Sequence, residues 1–253
     1  MSDEQVKFYH SNGYVVVEDM ITPQEVEEYK KIYNDFLSYK IDVGMNRSDL
    51  GDGIGSEKTR ENITQIMWPS DFVAGLTDMA LHQRALAIGK ELIGEDAEMD
   101  FDMLINKAPH TNTPTPWHQD ESYWVNVPDK RAASCWVALD NATKDNGCMW
   151  FVPGSNLKEV RPHRFAGKAG GALTCDASED EGVAVELKPG SCTFHAGRTL
   201  HYSRGNTTDN DRKAYIINYR PAEMIAAERA QGFDHGRGNA SNRQLKNDEF
   251  EDK

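Results

Sequence analysis

The sequence predicts a mainly β fold with flanking α-helices, of the sandwich, jelly-roll or small-barrel kind. Three observations predict it. From Met99 onward, short apolar runs recur between turn-forming residues. No alternation of strands with crossover helices is present, which disfavours a doubly wound parallel sheet. Helical periodicity belongs to the first hundred residues, ahead of the strands.

The elements follow in order. Ser2 and Gln5 have the spacing of a capping box ahead of Val6-Lys7-Phe8-Tyr9, and Gly13 closes that turn. Tyr14-Val15-Val16-Val17 is a short β-branched strand. Thr22-Pro23-Gln24-Glu25 starts a second helix, with Thr22 as N-cap, Pro23 at the first helical position and Glu25 reaching back. Val26, Tyr29, Ile32, Tyr33 and Phe36 follow at helical spacing and predict one buried stripe. Residues 41–62 scatter Gly44, Gly51, Gly53 and Gly55 among polar residues, which reads as a lid or binding loop, or else as a surface excursion. Residues 72–95 return to helical periodicity.

The strand series comprises Met103-Leu104-Ile105, Ser134 to Leu139, Cys148 to Val152, Val183 to Leu187, Cys192-Thr193-Phe194 and Ala214 to Tyr219. Asp145-Asn146-Gly147, Pro153-Gly154-Ser155 and Lys188-Pro189-Gly190 supply turns between them. After Ala230 the chain is polar and rich in Gly and Asn, and its end reads as a loose tail.

Composition narrows the function classes. With 28 Lys+Arg against 41 Asp+Glu, the 253 residues carry a formal charge of −13, which disfavours nucleic acid and anionic membranes as partners. Hydrophobic residues at 38% supply a sizeable core despite a mean hydropathy of −0.68. No stretch is long and apolar enough for a transmembrane helix, and the acidic start lacks a signal-peptide pattern. Cys135, Cys148, Cys175 and Cys192 form no C-x-x-C pair and no disulfide framework, so a reduced, cytoplasmic setting is expected. Oligomeric state is not legible.

Of the eight histidines, only His118 has an acidic residue two positions on, in Trp117-His118-Gln119-Asp120. Composition alone yields on the order of one such match, so the motif by itself is weak. On an extended segment, however, residues i and i+2 face the same side, and His118 and Asp120 then present an imidazole and a carboxylate to one point. Two histidines and one carboxylate on one face of an iron leave three coordination positions open. A third ligand has to come from a distant strand, and His195 and His201 both qualify; satisfied structural histidines are the competing reading. Arg212 opens the apolar run Ala214 to Tyr219 and shares a strand face with Ala214, Ile216 and Asn218. If that face looks inward, Arg212 is a buried cation that needs a carboxylate.

Several stretches together resemble a known family. They are Met103-Leu104-Ile105-Asn106-Lys107, Trp117-His118-Gln119-Asp120, Asp145-Asn146-Gly147-Cys148 running to Val152-Pro153-Gly154-Ser155, and His201-x-Ser203 with Arg212 eleven residues beyond the histidine. In order and spacing the chain, roughly from Gln5 to Arg220, resembles the phytanoyl-CoA dioxygenase family of iron(II)- and 2-oxoglutarate-dependent oxygenases. The resemblance implies a double-stranded β-helix (jelly roll, cupin-like) core. It implies one domain over 1–253, with 1–98 as helical support and lid, 99–222 as the jelly roll and 223–253 as a polar C-terminal segment.

The resemblance further implies His118, Asp120 and His201 as iron(II) ligands, leaving His195 a structural or supporting role. Arg212 and Ser203 would hold the distal carboxylate of 2-oxoglutarate, with Asn106 and Trp136 lining the cosubstrate pocket. Trp124 lies where related ectoine hydroxylases place a substrate-contacting tryptophan, and Tyr123 accompanies it; plain core packing is the alternative for both. The activity implied is hydroxylation of an unactivated C–H bond with O2, releasing succinate and CO2. Halogenating relatives replace the carboxylate ligand, and Asp120 is retained here. The 41–62 loop and the 155–182 segment, with Gly167, Gly170 and Gly171, are expected lids. Scattered basic residues favour a small molecule or natural product over a CoA thioester. The rival readings are a non-oxygenase cupin-like metal and ligand binder and a metal-dependent isomerase, neither of which needs Arg212 with Ser203.

Overall fold

The computed structural model describes residues 1–51, 61–167 and 172–237. Four helices and thirteen strands, labelled in chain order, make up the described chain. The helices are α1 (Asp3–Asn12), α2 (Pro23–Leu37), α3 (Ala80–Ile93) and α4 (Ala222–Ala230). Both predicted capping boxes form: Ser2 accepts from the Gln5 N–H and Thr22 from the Glu25 N–H, each with the reciprocal bond. Gly13 ends α1 in the left-handed region (φ 82°), where a side chain is strained.

The strands are β1 (Tyr14–Val17), β2 (Arg47–Asp49), β3 (Ile63–Met67), β4 (Ala97–Lys107), β5 (Thr115–His118), β6 (Ala133–Ala138) and β7 (Met149–Phe151). The rest are β8 (Arg164–Phe165), β9 (Leu173–Thr174), β10 (Val183–Val185), β11 (Cys192–His195), β12 (His201–Ser203) and β13 (Arg212–Pro221). A large sheet runs β1-β11-β6-β13-β4-β3-β2 and a small one β10-β7-β12-β5, with antiparallel neighbours in both. The two form the jelly roll, and its core architecture matches the expected cupin-like class.

Strand alternation gives each side of the large sheet its own core. On β13, Tyr215, Ile217 and Tyr219 join Val26, Tyr29, Phe36, Leu81 and Ala85 of the helices, whereas Ala214 and Ile216 join Trp117, Trp136 and Phe151 between the sheets. Arg212 therefore looks into the jelly roll, as its strand face predicts.

Three expectations need correction. The stretch 1–98 is more than helical support: β1, β2 and β3 extend the large sheet. Within 41–62, residues 47–49 are strand rather than loop, because Arg47 is held by the Glu61 carboxylate (2.8 and 2.9 Å) and the Phe36 carbonyl (2.9 Å). Gly53 and Gly55 lie outside the described residues, as do Gly170 and Gly171 of the second expected lid. The third correction concerns the start of the polar C-terminal segment; the expected loose end, residues 238–253, lies outside the described residues. Residues 222–230 are helix, and beyond them Phe233 and His235 are buried; the Trp68 indole N–H donates to the Asp234 carbonyl (3.0 Å) and clamps that stretch down. All four cysteines are buried and unpaired. Among the described residues, no helix is long and apolar enough to cross a membrane.

Candidate metal centre and cosubstrate cavity

The turn carrying the His-x-Asp motif is fixed by the residue between its two members. Gln119 is extended (φ −124°, ψ 127°), so His118 and Asp120 fall on one side before the chain turns at Asp120–Tyr123. The Gln119 amide donates to the Arg198 carbonyl (2.7 Å) and its Oε1 accepts from the Arg161 N–H (2.8 Å), while its backbone N–H donates to His163 Nε2 (3.1 Å). On the small sheet, β5 and β12 pair with His201 directly opposite His118, and a register irregularity follows before Ser203. The two imidazole centroids are 4.1 Å apart.

The protonation pattern suits a cation. Nδ1 of His118 donates to the Pro116 carbonyl (2.7 Å) and Nδ1 of His201 to the Thr199 carbonyl (2.8 Å). A carbonyl only accepts, so both Nδ1 atoms carry the proton and both Nε2 atoms hold free lone pairs. Those Nε2 atoms lie 3.7 and 3.6 Å from Asp120 Oδ1. The other oxygen, Oδ2, accepts from Ser134 Oγ (3.1 Å) and lies 3.3 Å from His195 Nε2. Ligand-type atoms of His118, Asp120 and His201 all fall within 4.8 Å of one another.

Burial keeps both imidazoles neutral, His201 more strongly, with the neighbouring His118 adding to the effect. For Asp120, burial favours the acid form, but His201, His195 and His118 outweigh it and hold the carboxyl below its ordinary range. Two neutral imidazoles and one carboxylate are the facial donor set typical of non-haem iron(II).

A cavity of about 200 Å³ opens on this triad, lined also by Trp136, Ser203 and Arg212. Arg212 is 1% exposed, and among the described residues its Nε and Nη1 find no acceptor. Its guanidinium carbon lies 5.1 Å from the centroid of the Trp136 ring. Burial lowers its pKa to about 10, so it is still a cation at neutral pH. Beside it Lys107, also fully buried, donates to the Thr113, Ser203 and Arg204 carbonyls (3.2, 3.3 and 2.7 Å) and pins the irregular segment that presents Ser203.

With this geometry in view, the comparisons are specific. The family model for phytanoyl-CoA dioxygenase (PhyH) matches residues 9–214. The chain belongs to the phytanoyl-CoA dioxygenase family. A probable phytanoyl-CoA dioxygenase of Caenorhabditis elegans is 26% identical over 248 residues, covering 92% of this chain and 79% of that one. Among solved structures, EvdO2 of Micromonospora carbonacea var. aurantiaca complexed with 2-oxoglutarate is similar with a TM-score of 0.74 and 26% identity, covering 88% of this chain and 91% of the other. The epimerase SnoN in complex with Fe3+, alpha-ketoglutarate and nogalamycin RO is similar with a TM-score of 0.70 and 25% identity, covering 87% and 83%. Sequence and structural relatives agree on the enzyme class, and this family member belongs with them to the 2-oxoglutarate-dependent dioxygenases.

Most residues singled out in the sequence line one cavity: His118, Asp120, His201, Ser203, Arg212, Trp136, Tyr123 and Trp124. Trp124 lies over Gly197, where an added Cβ would meet its ring at 2.3 Å. Asn106 does not line the cavity. It directly faces Lys213 across β4–β13, on the side opposite Ile105 and Arg212, and its amide donates to Asp211 Oδ1 (2.8 Å). Alternation along β4 puts Ile105 inward and so turns Asn106 away.

Sequence reasoning missed the anchoring role of Lys107, for which a lysine in a strand gives no signal, and the contributions of Phe233 and His235. His195 has a supporting place rather than a position within the triad. Ser134 supports Asp120 and also accepts from the buried Asn218 amide (2.7 Å). Ser134→Ala should weaken iron(II) affinity about 10–100-fold with little change in the 2-oxoglutarate requirement; metal titration of the purified variant checks this, and an unchanged affinity removes Ser134 from the site.

Proposed function

We propose that this dioxygenase hydroxylates an unactivated C–H bond of a small, largely apolar molecule, using iron(II), 2-oxoglutarate and O2 and releasing succinate and CO2. The observation that carries this reading is one cavity lined both by two lone-pair-bearing imidazoles with a carboxylate and by a buried guanidinium whose Nε and Nη1 find no acceptor among the described residues. The donor set fits iron(II), and the unsatisfied cation fits the remote carboxylate of the keto acid. Bound iron(II) would supply the oxygen activation that side chains lack.

The rest falls to the protein. His118, His201 and Asp120 Oδ1 hold the metal, while Ser134 and His195 keep Oδ2 turned away from it. Arg212 and Ser203 take the carboxylate end of 2-oxoglutarate and aim its keto end toward the triad. Trp136, Ile105, Ile216 and Met149 give the cosubstrate dry walls. Tyr123 and Trp124 shape the substrate side. Tyr123 Oη accepts from the Leu173 N–H (2.7 Å), which fixes β9 where Leu173 lines the cavity beside Phe165 of β8. A cupin-like binder or an isomerase on the same fold has no use for the buried Arg212.

The test has two readings. Purified protein with iron(II) and 2-oxoglutarate should form succinate in air and none without oxygen; succinate that fails to appear, or that forms anaerobically, overturns the dioxygenase reading. Turnover of a metabolite extract under 18O2 should place one labelled oxygen in a product. Succinate formed with a converted but unlabelled product overturns hydroxylation alone, in favour of an oxidation without oxygen insertion.

A further inference from the structure

The wall of the same cavity also includes Met67, Phe101, Met103 and Phe233, with the imidazole of His235 among them. The His235 ring lies 4.2 Å from Phe101 and 4.7 Å from Phe233, centroid to centroid. A buried, ionisable group between two phenyl rings is costly without an electrostatic reason. The reason lies behind it. Nε2 of His235 is 3.1 Å from Asp100 Oδ2 and 3.6 Å from Glu228 Oε2.

Asp100 also binds Arg229 (2.5 Å) and lies 3.7 Å from Arg220, and Glu228 binds Arg220 (2.5 Å). Asp100, Glu228 and His235 have the spacing of a metal group. The two guanidiniums already neutralise the carboxylates, so the cluster reads as an ion network rather than a cation site.

The charges of this network leave a surplus. Two carboxylates balance two guanidiniums, so a proton on His235 adds one positive charge that nothing else in the cluster cancels. Burial opposes that proton, but Asp100 and Glu228 outweigh it and raise the imidazole above its ordinary value. In return His235 heads the groups that hold Asp100 down at about 2, against the opposing effect of its burial. Nε2 faces the carboxylates. Among the described residues Nδ1 has no hydrogen-bond partner, while the ring lines the cavity.

We propose that His235, framed by Phe101 and Phe233, is the recognition end of the substrate cavity and binds a flat, ring-built molecule through an anionic oxygen such as a carboxylate or phenolate. This rests on the dioxygenase reading of the triad and Arg212 in the same cavity, and it narrows the substrate class. Aromatic walls and two methionines suit a rigid apolar body, with faces stacking and thioethers adapting to its outline. The surplus proton supplies one charge-assisted donor, which sets the orientation of that body relative to the triad.

The test uses the full chain loaded with zinc(II), a redox-inert stand-in, and saturating 2-oxoglutarate, which occupies Arg212, the guanidinium among the described lining residues. The probes are 2-naphthoate and the uncharged 2-naphthylmethanol, titrated by calorimetry. Wild type should bind the naphthoate at least about tenfold more tightly than the alcohol, and His235→Gln should reduce that preference to less than about twofold. A preference that is absent in wild type, or that survives in His235→Gln, overturns the proposal.

Because that substitution also touches the buried network, a second measurement uses wild type alone. The His235 imidazole resonance, assigned by its absence from the variant, should shift on naphthoate saturation; a resonance indifferent to the ligand overturns the proposal. Oxygen-dependent succinate formation by the iron-loaded wild type judges the dioxygenase reading separately, since it requires neither probe nor His235.

Discussion

Asp120→Ala should abolish oxygen-dependent succinate formation and weaken iron(II) binding by more than about 100-fold. The loss of a supporting partner alone costs about 10–100-fold in metal affinity, and Asp120 is the only charged member of the triad. Its removal leaves two neutral imidazoles, which lack the charge to compensate a divalent cation. Iron(II) should raise the melting temperature of wild type and leave that of the variant unchanged, because a ligand stabilises only a folded state that binds it. Metal-free Asp120→Ala is expected to stay folded: Ser134 and His195 lose an acceptor, but one buried carboxylate disappears with it. Turnover retained at the wild-type level would remove Asp120 from the metal site.

Arg212→Met should move two measurements in opposite directions. Without cosubstrate, Arg212 is a buried guanidinium with two unsatisfied nitrogens, which costs stability. Methionine fills similar apolar space without that charge, so the cosubstrate-free variant should melt at or above the wild-type temperature. For 2-oxoglutarate the sign reverses. Losing one partner of a buried charge pair costs about 2–5 kcal/mol, so the KM for 2-oxoglutarate should rise at least about 30-fold. Lysine keeps the charge but not the planar fork, so Arg212→Lys should recover only part of the loss. An unchanged KM in Arg212→Met would exclude the residue from the cosubstrate site. A large drop in melting temperature would instead mark Arg212 as structural.

Those two residues were legible in the sequence for different reasons. Arg212 stood out because a cation opening an apolar strand run violates the local pattern, and period-two alternation assigned its face. His118 and Asp120 stood out as a short motif, and Gln119 keeps them on one side as the extended spacing requires. Choosing His201 over His195 needs more than local pattern, since they lie six residues apart in the sequence; the fold puts His195 on β11 of the large sheet and His201 on β12 of the small one, directly opposite His118. Asn106 shows the limit of motif proximity: its neighbours Ile105 and Lys107 belong to the interior, yet a shift of one residue along a strand reverses the face.

The β2 strand was hidden because its three residues sit in a glycine-rich stretch and are held by Arg47 and Glu61, a pairing with no local signature. The segment after Ala230 was hidden by composition. Phe233 and His235 are isolated among polar and glycine residues, and their burial depends on Asp100, Glu228 and Trp68, far away along the chain.

The pairing of β5 with β12 has a mechanical consequence. His118 and His201 face each other across the small sheet, while Asp120 is bonded to Ser134 of β6 and lies beside His195 of β11 in the large one. An ion gripping all three ligands would staple β5 and the turn after it to β12, and through the contacts of Asp120 with Ser134 and His195 would brace the small sheet against the large one. It would close a loop spanning most of the barrel and withdraw that loop's freedom from the unfolded chain. Metal loss in this architecture would thus loosen the mouth of the barrel as well as silence the chemistry, leaving the layer that holds β5 and β12 as the part most readily prised open.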